Sequence, residues 1–312
     1  MKKILFTTFV ATSMALNALA ANGDLPAAAD AEVISQIAAT NPKNIKEAES
    51  LSKIINWDKG ANADIIVIGF GKKGSNYNRM QARRTATADA YRNLAETIGS
   101  VQIDASTTVN DLMSANDMVN AKVHALIKSA KITDEGEMSD GFYIKMTIPM
   151  FGKENSLAAA TMPDMMKATL HQMPKKVSKK ATALDKQTYK EAKTLQYSGI
   201  VVDCRDLGLE YTYAPQILDS KGRGIYGYEN VNVNFAILNG MIEYCQDIDL
   251  VQSGKTRAGS NPLILKATAI GGGINRANSV NAIVSPEDGD RILLAMEVNN
   301  EIVRNSAVVF VK

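Results

Sequence analysis

The most constraining feature of this sequence is residues 64–150, where strand-like and helix-like spacings of apolar residues follow one another. The aliphatic run at 65–68 predicts a strand, and apolar residues that recur every four positions over 86–98 predict an amphipathic helix from 79 to 98. Alternation of apolar and polar residues over 142–150 predicts a further strand. Because both periodicities occur within one short block, the sequence predicts a compact α+β unit.

Two further elements are predicted in the middle of that block. Odd-numbered residues from 101 to 109 alternate with polar residues, which is the period of a strand with one face in water. A second helix is predicted over 116–130, and a strand that begins at Ile132 is followed by a turn at 139–141. The predicted order is therefore strand, helix, strand, helix, strand, strand.

Gly69, Gly71 and Gly74 follow the first strand at the spacing of a dinucleotide-binding fingerprint. Such a site also needs an acidic residue at the end of the next strand, about 20 residues further on, to hold the ribose. Asp104 lies 30 residues past Gly74, in a predicted strand that is polar on one face. The glycines are therefore predicted to form a tight strand-to-helix turn, and no cofactor or cofactor-binding residue is expected.

Other patterns associated with catalysis or metal binding are incomplete. The SGKT segment at 253–256 resembles part of a phosphate-binding loop, but Asp249 stands where that loop needs a glycine. His124 and His171 belong to no HExxH motif and have no cysteine beside them, and the chain has no G-x-S-x-G segment. The sequence therefore predicts no catalytic or metal-binding residue, and a protein that is not an enzyme.

The amino terminus has the pattern of a signal peptide. Lys2 and Lys3 precede an apolar run over 4–16, and small residues lead to Ala20, after which cleavage is predicted, so that residues 1–20 form the signal. The residue directly after the cleavage point, Ala21, is not a cysteine, so no lipid anchor is expected. No later stretch approaches the roughly 20 apolar residues that a membrane span requires. We therefore expect a periplasmic, non-lipidated protein without a transmembrane span.

The charge of the remaining chain is close to zero. Removal of residues 1–20 lowers Lys plus Arg from 35 to 33, which equals the 33 Asp plus Glu. A neutral chain gives no support for a nucleic-acid partner, because such partners are held mainly by positive charge. Four arginines between 79 and 92 are expected on the solvated face of the first helix, with Arg92 and Glu96 as an i,i+4 pair, or else at an anion or partner site.

Composition and periodicity also predict the domain organisation. The predicted segments after the signal are an N-terminal helical segment at 21–61, an α+β module at 62–152, a linker rich in Met, Ala and Lys at 153–195, and a C-terminal α+β domain at 196–312. The basic run at 174–180 is expected to be solvated linker, with contact to an anionic envelope surface as the alternative. The predicted fold is therefore two small α+β domains, each with helices on one face of a mixed or antiparallel sheet, plus the N-terminal helical segment.

Local signals predict several elements outside the first module. Asn41 and Pro42 are a cap and first-turn pair for a helix whose apolar face reaches Ile55. The predicted elements of the C-terminal domain are a helix across 230–245, a strand at 263–270, a helix that begins at Pro286 after the cap Ser285, and a final strand at 308–311. These elements again mix helices and strands, in agreement with an α+β domain.

The chain has two cysteines, Cys204 and Cys245. In an oxidising compartment they can form a disulfide, which would close a loop of about 40 residues and stabilise the fold by on the order of 3–4 kcal/mol. Two buried thiols that behave as small hydrophobic residues explain the same sequence. The sequence does not show whether the two Cβ atoms approach each other, so both interpretations stay open.

Two motifs carry a resemblance to a known family: ADAYRNLAETIG at 88–99 and DGFYIKMTIPM at 140–150. With them, residues 62–152 resemble the twenty-kilodalton outer-membrane lipoprotein family and the related amino-terminal domain of flagellar assembly protein T. The resemblance implies a small α+β domain with two helices against a sheet, and partners among envelope proteins, including flagellar or outer-membrane ring components. It implies no catalytic residues. This chain differs from the lipoprotein members because it lacks a lipidated cysteine.

These observations favour an exported, non-enzymatic periplasmic scaffold or assembly protein that acts through protein contacts at the outer membrane or the flagellar base. Half-polar strands leave sheet edges to which a partner, or a second copy of the chain, can add. The alternative is a protein that binds or hydrolyses an envelope polysaccharide such as peptidoglycan, with a cleft lined by Tyr211, Tyr213, Tyr226 and Tyr228. Packing between strands explains the same tyrosines.

Overall fold

The computed structural model describes residues 41–168, 182–271 and 279–312. The predicted signal peptide with its cleavage point after Ala20, the following residues up to 40, the basic run at 174–180 and His171 lie outside the described residues. The fold and the candidate sites are therefore described for the remaining parts of the chain.

Helices and strands alternate along the described chain. The helices are α1 (Ile45–Ser50), α2 (Arg79–Ser100), α3 (Val109–Ala115), α4 (Asp117–Lys128), α5 (Leu157–Ala168), α6 (Lys186–Thr194), α7 (Val233–Asn239), α8 (Ile248–Gln252), α9 (Pro286–Val298) and α10 (Glu301–Arg304). The strands are β1 (Lys53–Ile55), β2 (Asp64–Lys72), β3 (Lys131–Glu137), β4 (Gly141–Pro149), β5 (Ile200–Asp203), β6 (Ile217–Asp219), β7 (Gly224–Tyr226), β8 (Glu243–Cys245), β9 (Leu263–Lys266), β10 (Ala269–Gly271), β11 (Asn281–Val284) and β12 (Val308–Val311). Short 3₁₀ turns occur at Trp57–Asn62 and Tyr228–Asn230. Within the described ranges, no helix is both long and apolar enough to cross a membrane.

Residue contacts divide the chain into two compact units that are interleaved along the sequence. Of the described residues, the first unit contains 41–56, 65–97 and 130–147, and the second contains 57–64, 98–129 and the chain from 148 onward. Each unit combines separate stretches of the chain, whereas the predicted domains are consecutive segments, so the two divisions cannot be compared boundary by boundary. The domain boundaries predicted at residues 62, 153 and 196 therefore stay predictions.

The first unit is built on a four-stranded sheet in the order β1-β2-β4-β3, with α2 across one face. The pairs β1–β2 and β3–β4 are antiparallel. The residues of α2 that recur every four positions from 86 to 98 are fully buried, so the spacing in the sequence marks the face of α2 that packs inward. A second small core lies on the other side of β2, where Ala48 of α1 packs with Ile68 and Tyr143.

Gly69 and Gly71 lie inside strand β2, so the tight strand-to-helix turn predicted at these residues is wrong. A Cβ atom on Gly69 would lie 2.1 Å from the backbone nitrogen of Ala90, and a Cβ atom on Gly71 would lie 2.2 Å from the carbonyl oxygen of Ala82. Both positions require glycine because the backbone of α2 passes directly against the strand. Gly74 lies in the loop between β2 and α2, and a Cβ atom there would meet nothing within 4 Å.

Residues 101–109 do not form the predicted strand, apart from an isolated bridge between Gln102 and Thr108. The Asp104 carboxylate accepts hydrogen bonds from the backbone N–H groups two and three residues later, which closes a turn. Helix α3 then begins directly after Thr108, which caps it. Odd-numbered residues from 101 to 105 are buried, so the alternation reflects burial, but a turn closed by Asp104 takes the place of the strand.

The second unit contains two four-stranded sheets. One is parallel throughout, in the order β8-β12-β5-β9, and its central strands β5 and β12 are almost wholly buried, as expected where both faces are covered. The other, in the order β10-β11-β6-β7, is mixed, because β11 and β6 are parallel and the outer pairs are antiparallel. Ile292 and Leu293 of α9 share one core with Val202 of β5 and Val284 of β11.

The predicted α+β class is confirmed. The helices predicted over 79–98 and 116–130, the helix after Ser285 and the final strand are all present. Ser285 caps α9 by accepting a hydrogen bond from the backbone N–H of Asp288, and Pro286 occupies the first turn. Helices α5 and α6 lie within the stretch 153–195 that the sequence predicts as a linker.

Three predicted elements have different limits in the structure. The helix predicted from Asn41 to Ile55 is confined to α1 and is capped by Asn44, after which the chain enters β1. The helix predicted over 230–245 is confined to α7 and is followed by β8. The strand predicted over 263–270 is divided into β9 and β10, which belong to different sheets. In each case one helix or strand ends within a few residues and another begins, and local periodicity does not show where this happens.

The ion pairs of α2 also differ from the prediction. Arg92 pairs with Asp89, one turn before it, and Glu96 pairs with Lys53 of β1, so the predicted pair between Arg92 and Glu96 is wrong. Two arginines nearer the start of α2 pair with glutamates of β3: Arg79 with Glu137, and Arg83 with Glu135. These are exposed pairs, which contribute little to stability individually.

Candidate functional site

The carboxyl ends of the parallel strands bring together polar side chains from distant parts of the sequence. Strands β5, β8 and β12 run in the same direction, so they end at the same edge of their sheet. Gln246 follows β8 and Lys312 follows β12. In open sheets of parallel strands, this edge is where ligands bind. The carboxyl edge is therefore a candidate functional site.

Four polar residues meet at this edge and are called here the carboxyl-edge cluster: Asp58, Tyr211, Gln246 and Lys312. The Tyr211 hydroxyl donates to the Asp58 carboxylate, and its oxygen lies 2.8 Å from Oδ1 and 2.9 Å from Oδ2. Nε2 of Gln246 lies 3.3 Å from Oδ2 of Asp58 and 3.2 Å from the Tyr211 hydroxyl, and donates to both. The ammonium nitrogen of Lys312 lies 3.5 Å from the centre of the Tyr211 ring.

Burial shifts the pKa values of three groups in the cluster. Loss of solvent raises the pKa of Asp58, although the hydrogen bond from Tyr211 and the charge of Lys312 act in the opposite direction. Loss of solvent also raises the pKa of Tyr211, and the nearby charge of Asp58 adds to that effect. The pKa of Lys312 is lowered by the same loss of solvent, against the charges of Asp58 and Glu210. All three shifts favour the neutral form of the group. Shifted pKa values of this kind are common at functional sites.

An aromatic wall supports the cluster from one side. Trp57 stacks on Tyr211 with ring centres 5.8 Å apart and planes 4° apart, and Tyr244 meets both rings edge-on. The cavity beside Trp57 and Tyr244 has a volume of about 10 Å³, which is roughly the space of one water molecule. This cavity does not admit a sugar or a peptide.

A larger opening lies in the first unit, between β2 and the first turns of α2. This opening, called here the edge groove, has a volume of about 510 Å³. Its lining includes Phe70 and Lys72 of β2, Tyr77 of the connecting loop, and Gln81, Ala82 and Thr85 of α2. A volume of this size lies within the range of ligand-binding pockets in proteins.

The edge groove opens just beyond the first residue of β1, Lys53, which lies opposite Val67 of β2. The last backbone pairing on this side of β2 joins the N–H group of Ile68 to the carbonyl of Ser52. Two residues further on, the N–H group of Phe70 donates to Oδ2 of Asp89 on α2 at 3.0 Å. Because every second residue of a strand directs its backbone groups to the same side, Lys72 also faces this edge. A carboxylate therefore occupies the place of a neighbouring strand beside Phe70.

Cys204 and Cys245 are both free and buried. They lie on opposite faces of the parallel sheet, since Cys204 packs with Val202 and Cys245 packs with Val201. Strand β12 also lies between β5 and β8, so a disulfide would require β12 to move. Burial raises the pKa of the Cys204 thiol to about 12. In the structure the two residues are thus buried thiols of low reactivity.

The tyrosines proposed to line a cleft do not meet in one place. Tyr211 belongs to the carboxyl-edge cluster, whereas Tyr213, Tyr226 and Tyr228 are buried. The Tyr226 hydroxyl donates to the carbonyl of Met241 at 2.7 Å, which is a packing role. Of the two histidines, His124 is exposed on α4 and His171 lies outside the described residues.

Sequence reasoning missed the carboxyl-edge cluster. Asp58 lies 153 residues before Tyr211 in the chain, and Asp58, Gln246 and Lys312 belong to no motif. No local signal could have joined these residues. The edge groove had a partial signal, because Gly69 and Gly71 mark a close approach of two backbones.

Residues 199–312 contain both sheets of the second unit and form an α+β region with a parallel sheet whose carboxyl edge carries a half-buried polar cluster. A family model for the second domain of Tp0624 from Treponema pallidum matches residues 199–312, a little over a third of the chain. No curated protein matches the chain.

The family match corrects the resemblance inferred from the sequence. It falls on 199–312 and lies wholly outside 62–152. The resemblance of 62–152 to the twenty-kilodalton outer-membrane lipoprotein family and to flagellar assembly protein T is therefore wrong. The flagellar and ring-component partners that followed from that resemblance have no remaining support.

Proposed function

We propose that this protein is an exported, non-enzymatic periplasmic scaffold or assembly protein that acts through contacts with other proteins of the cell envelope. The observation that carries the proposal is the edge groove, where the unpaired side of β2 faces an opening of about 510 Å³ beside α2. Export is supported by the signal-peptide pattern of residues 1–20.

An unpaired strand edge next to a helix favours a protein partner over a small molecule. The edge offers backbone donors and acceptors in a row, which an extended peptide satisfies in the same way as a strand of the sheet. The adjoining helix offers side chains that select among peptides. Met80, in the same turn of α2 as Gln81, is 60% exposed and adds apolar surface there.

Site-specific crosslinking in intact cells tests this proposal. A photoreactive amino acid replaces Gln81, which lines the edge groove, or Ala95, which is exposed on α2 about 21 Å further along the helix at 1.5 Å per residue. We expect Gln81 to capture envelope proteins and Ala95 to capture few. Recovery of glycan strands without any protein at either position would refute the scaffold proposal.

The second candidate is binding or hydrolysis of an envelope polysaccharide such as peptidoglycan. One observation favours it: Asp58 is a half-buried carboxyl with a raised pKa beside Tyr211 and Trp57, and a protonated carboxyl is the general acid of glycoside hydrolysis. It ranks second because the adjoining cavity measures about 10 Å³. The purified protein and its Asp58→Asn variant would be incubated with peptidoglycan, and release of soluble fragments by the unchanged protein alone would favour this candidate.

A further inference from the structure

We propose that the edge groove binds an extended acidic segment of an envelope protein, and that this segment adds to β2 as a further strand at Phe70 and Lys72. The inference rests on the function proposed above and deepens it by naming the site and the chemistry of the partner.

The backbone of β2 has the groups that a further strand needs. Asp89 holds the N–H group of Phe70, which leaves the carbonyl of Phe70 and both backbone groups of Lys72 directed toward the edge groove. Gly71, between them, packs against the backbone of α2, so this part of the strand is held rigidly. A rigid edge lowers the entropic cost of adding a strand.

The length of the open edge defines the length of the segment. From Ile68, where pairing with the β1 side ends, to Lys72 is about 13 Å at roughly 3.3 Å per residue. An extended segment of about four residues covers this distance. The groove volume of about 510 Å³ can hold such a segment together with part of its side chains.

The charges around the groove favour acidic side chains. Lys72 lines the groove, and the ammonium group of Lys73 lies 4.9 Å from the ring centre of Tyr77, which also lines it. Among the described residues, neither lysine forms an ion pair. Asp89, the acid that contacts this edge, is already paired with Arg92. Acidic side chains on the added segment would therefore complement the two lysines.

Tyr77 supplies a further observation. Its hydroxyl oxygen is buried and has no hydrogen-bond partner in the described part of the chain. Buried hydroxyl groups are rarely left without a partner. A carboxylate or carbonyl of the added segment would accept a hydrogen bond from this hydroxyl.

Binding of synthetic peptides to the mature chain tests the inference. The probe is a fluorescein-labelled peptide of seven residues that alternates valine and glutamate, followed by fluorescence anisotropy. Two matched peptides replace glutamate by lysine or carry an N-methyl group on the backbone of every residue. Thr85→Trp fills the groove, and Ala95→Trp adds the same side chain on an exposed part of α2 away from it. Lys72→Pro removes the backbone N–H group, and Lys72→Ala retains it.

We expect saturable binding of the valine–glutamate peptide to the unchanged protein and to Ala95→Trp. Thr85→Trp and Lys72→Pro should each weaken binding by about tenfold or more, which corresponds to roughly 1.4 kcal/mol. Lys72→Ala should weaken it by about threefold, because only the charge is lost. The lysine peptide and the N-methylated peptide should bind at least about tenfold more weakly than the glutamate peptide.

Several results would overturn the inference. These are absence of saturable binding, equal binding by Thr85→Trp, and equal binding of the N-methylated or lysine peptide. If circular dichroism shows that Lys72→Pro is unfolded, Thr85→Trp and the N-methylated peptide still decide the question. Capture of proteins through Gln81 in cells without peptide binding would refute the added strand and leave the scaffold proposal standing. Peptide binding without any captured protein would instead count against the scaffold proposal.

Discussion

The Tyr211 hydroxyl donates to both carboxylate oxygens of Asp58, although 153 residues separate the two in the chain. Within the second unit, this contact ties the 3₁₀ turn at 57–62 to the carboxyl edge of the parallel sheet. A buried carboxylate is costly unless it is hydrogen-bonded. Tyr211 and Gln246 therefore make the position of Asp58 energetically possible.

Replacement of Tyr211 by phenylalanine should lower the free energy of unfolding by about 1–3 kcal/mol, because the half-buried carboxylate of Asp58 loses its closest donor. Tyr228→Phe is the matched control, since the Tyr228 hydroxyl is buried and has no partner among the described residues. That change should be neutral within about 0.5 kcal/mol, or stabilising. Urea unfolding measures both, and equal losses would contradict the role of the contact between Tyr211 and Asp58.

The stability of the protein should depend on pH through Asp58. Burial raises the pKa of Asp58 in the folded state, so the folded protein retains this proton to higher pH than the unfolded chain does. The resulting stabilisation is complete below the unfolded pKa of about 3.9 and is lost as the pH rises through the folded pKa. Relative to the unchanged protein, Asp58→Asn should therefore gain free energy of unfolding as the pH rises above about 4.

Asp185 gives a control of opposite sign for that measurement. This exposed residue caps α6, and hydrogen bonds from the backbone and side chain of Thr188 lower its pKa. Its contribution is present above the unfolded pKa and is lost as the pH falls through the folded value. Urea unfolding from pH 3 to pH 8 should thus show Asp185→Asn most destabilised near neutrality. A difference between the unchanged protein and Asp58→Asn that does not vary with pH would contradict the raised pKa of Asp58.

Glycine at 69 and 71 should be essential for the packing of β2 against α2. Gly69→Ala places a Cβ atom 2.1 Å from the nitrogen of Ala90, so the helix must move away from the strand. We expect a loss of about 3 kcal/mol in the free energy of unfolding. Gly74→Ala, where the space is open, should be neutral or stabilise by about 0.4–1 kcal/mol. Similar melting temperatures for the two variants would show that the close approach is absent.

The two cysteines should behave as free thiols in the purified protein. Alkylation of protein that has been unfolded in denaturant without a reductant should add two labels, one each at Cys204 and Cys245. In the folded state both should react slowly, because they are buried and their thiol pKa values are raised. Mass spectrometry counts the labels. Unlabelled protein that gains two labels only after reduction would demonstrate a disulfide.

Much of the local structure could be predicted from the sequence. The spacing of four over 86–98 identified the buried face of α2, and Ser285 with Pro286 identified the start of α9, because capping and periodicity depend on neighbouring residues. The prediction of a strand at 101–109 was wrong because it also rested on the spacing of neighbouring residues alone. Burial alternates there as it does in a strand, but the Asp104 side chain closes a turn, and periodicity alone cannot distinguish the two.

The candidate sites could be predicted far less well than the elements. Nothing in the sequence near Asp58, Gln246 or Lys312 indicates that they meet, because their meeting depends on which strands run side by side. The edge groove depends on where β1 begins: its first residue, Lys53, lies opposite Val67, which leaves the later part of β2 without a neighbouring strand on that side. Which strand pairs with which depends on residues that are far apart in the sequence.

The sequence by itself determined the α+β class, the positions of several helices and strands, and the faces that these elements bury, because these follow from side-chain spacing and capping over a few residues. Only the tertiary structure decided three further features: the close contact of Gly69 and Gly71 with α2, the parallel order of the second sheet, and the opposite faces of Cys204 and Cys245. Each depends on residues far apart in the chain, which are brought together by the free energy of packing the whole molecule.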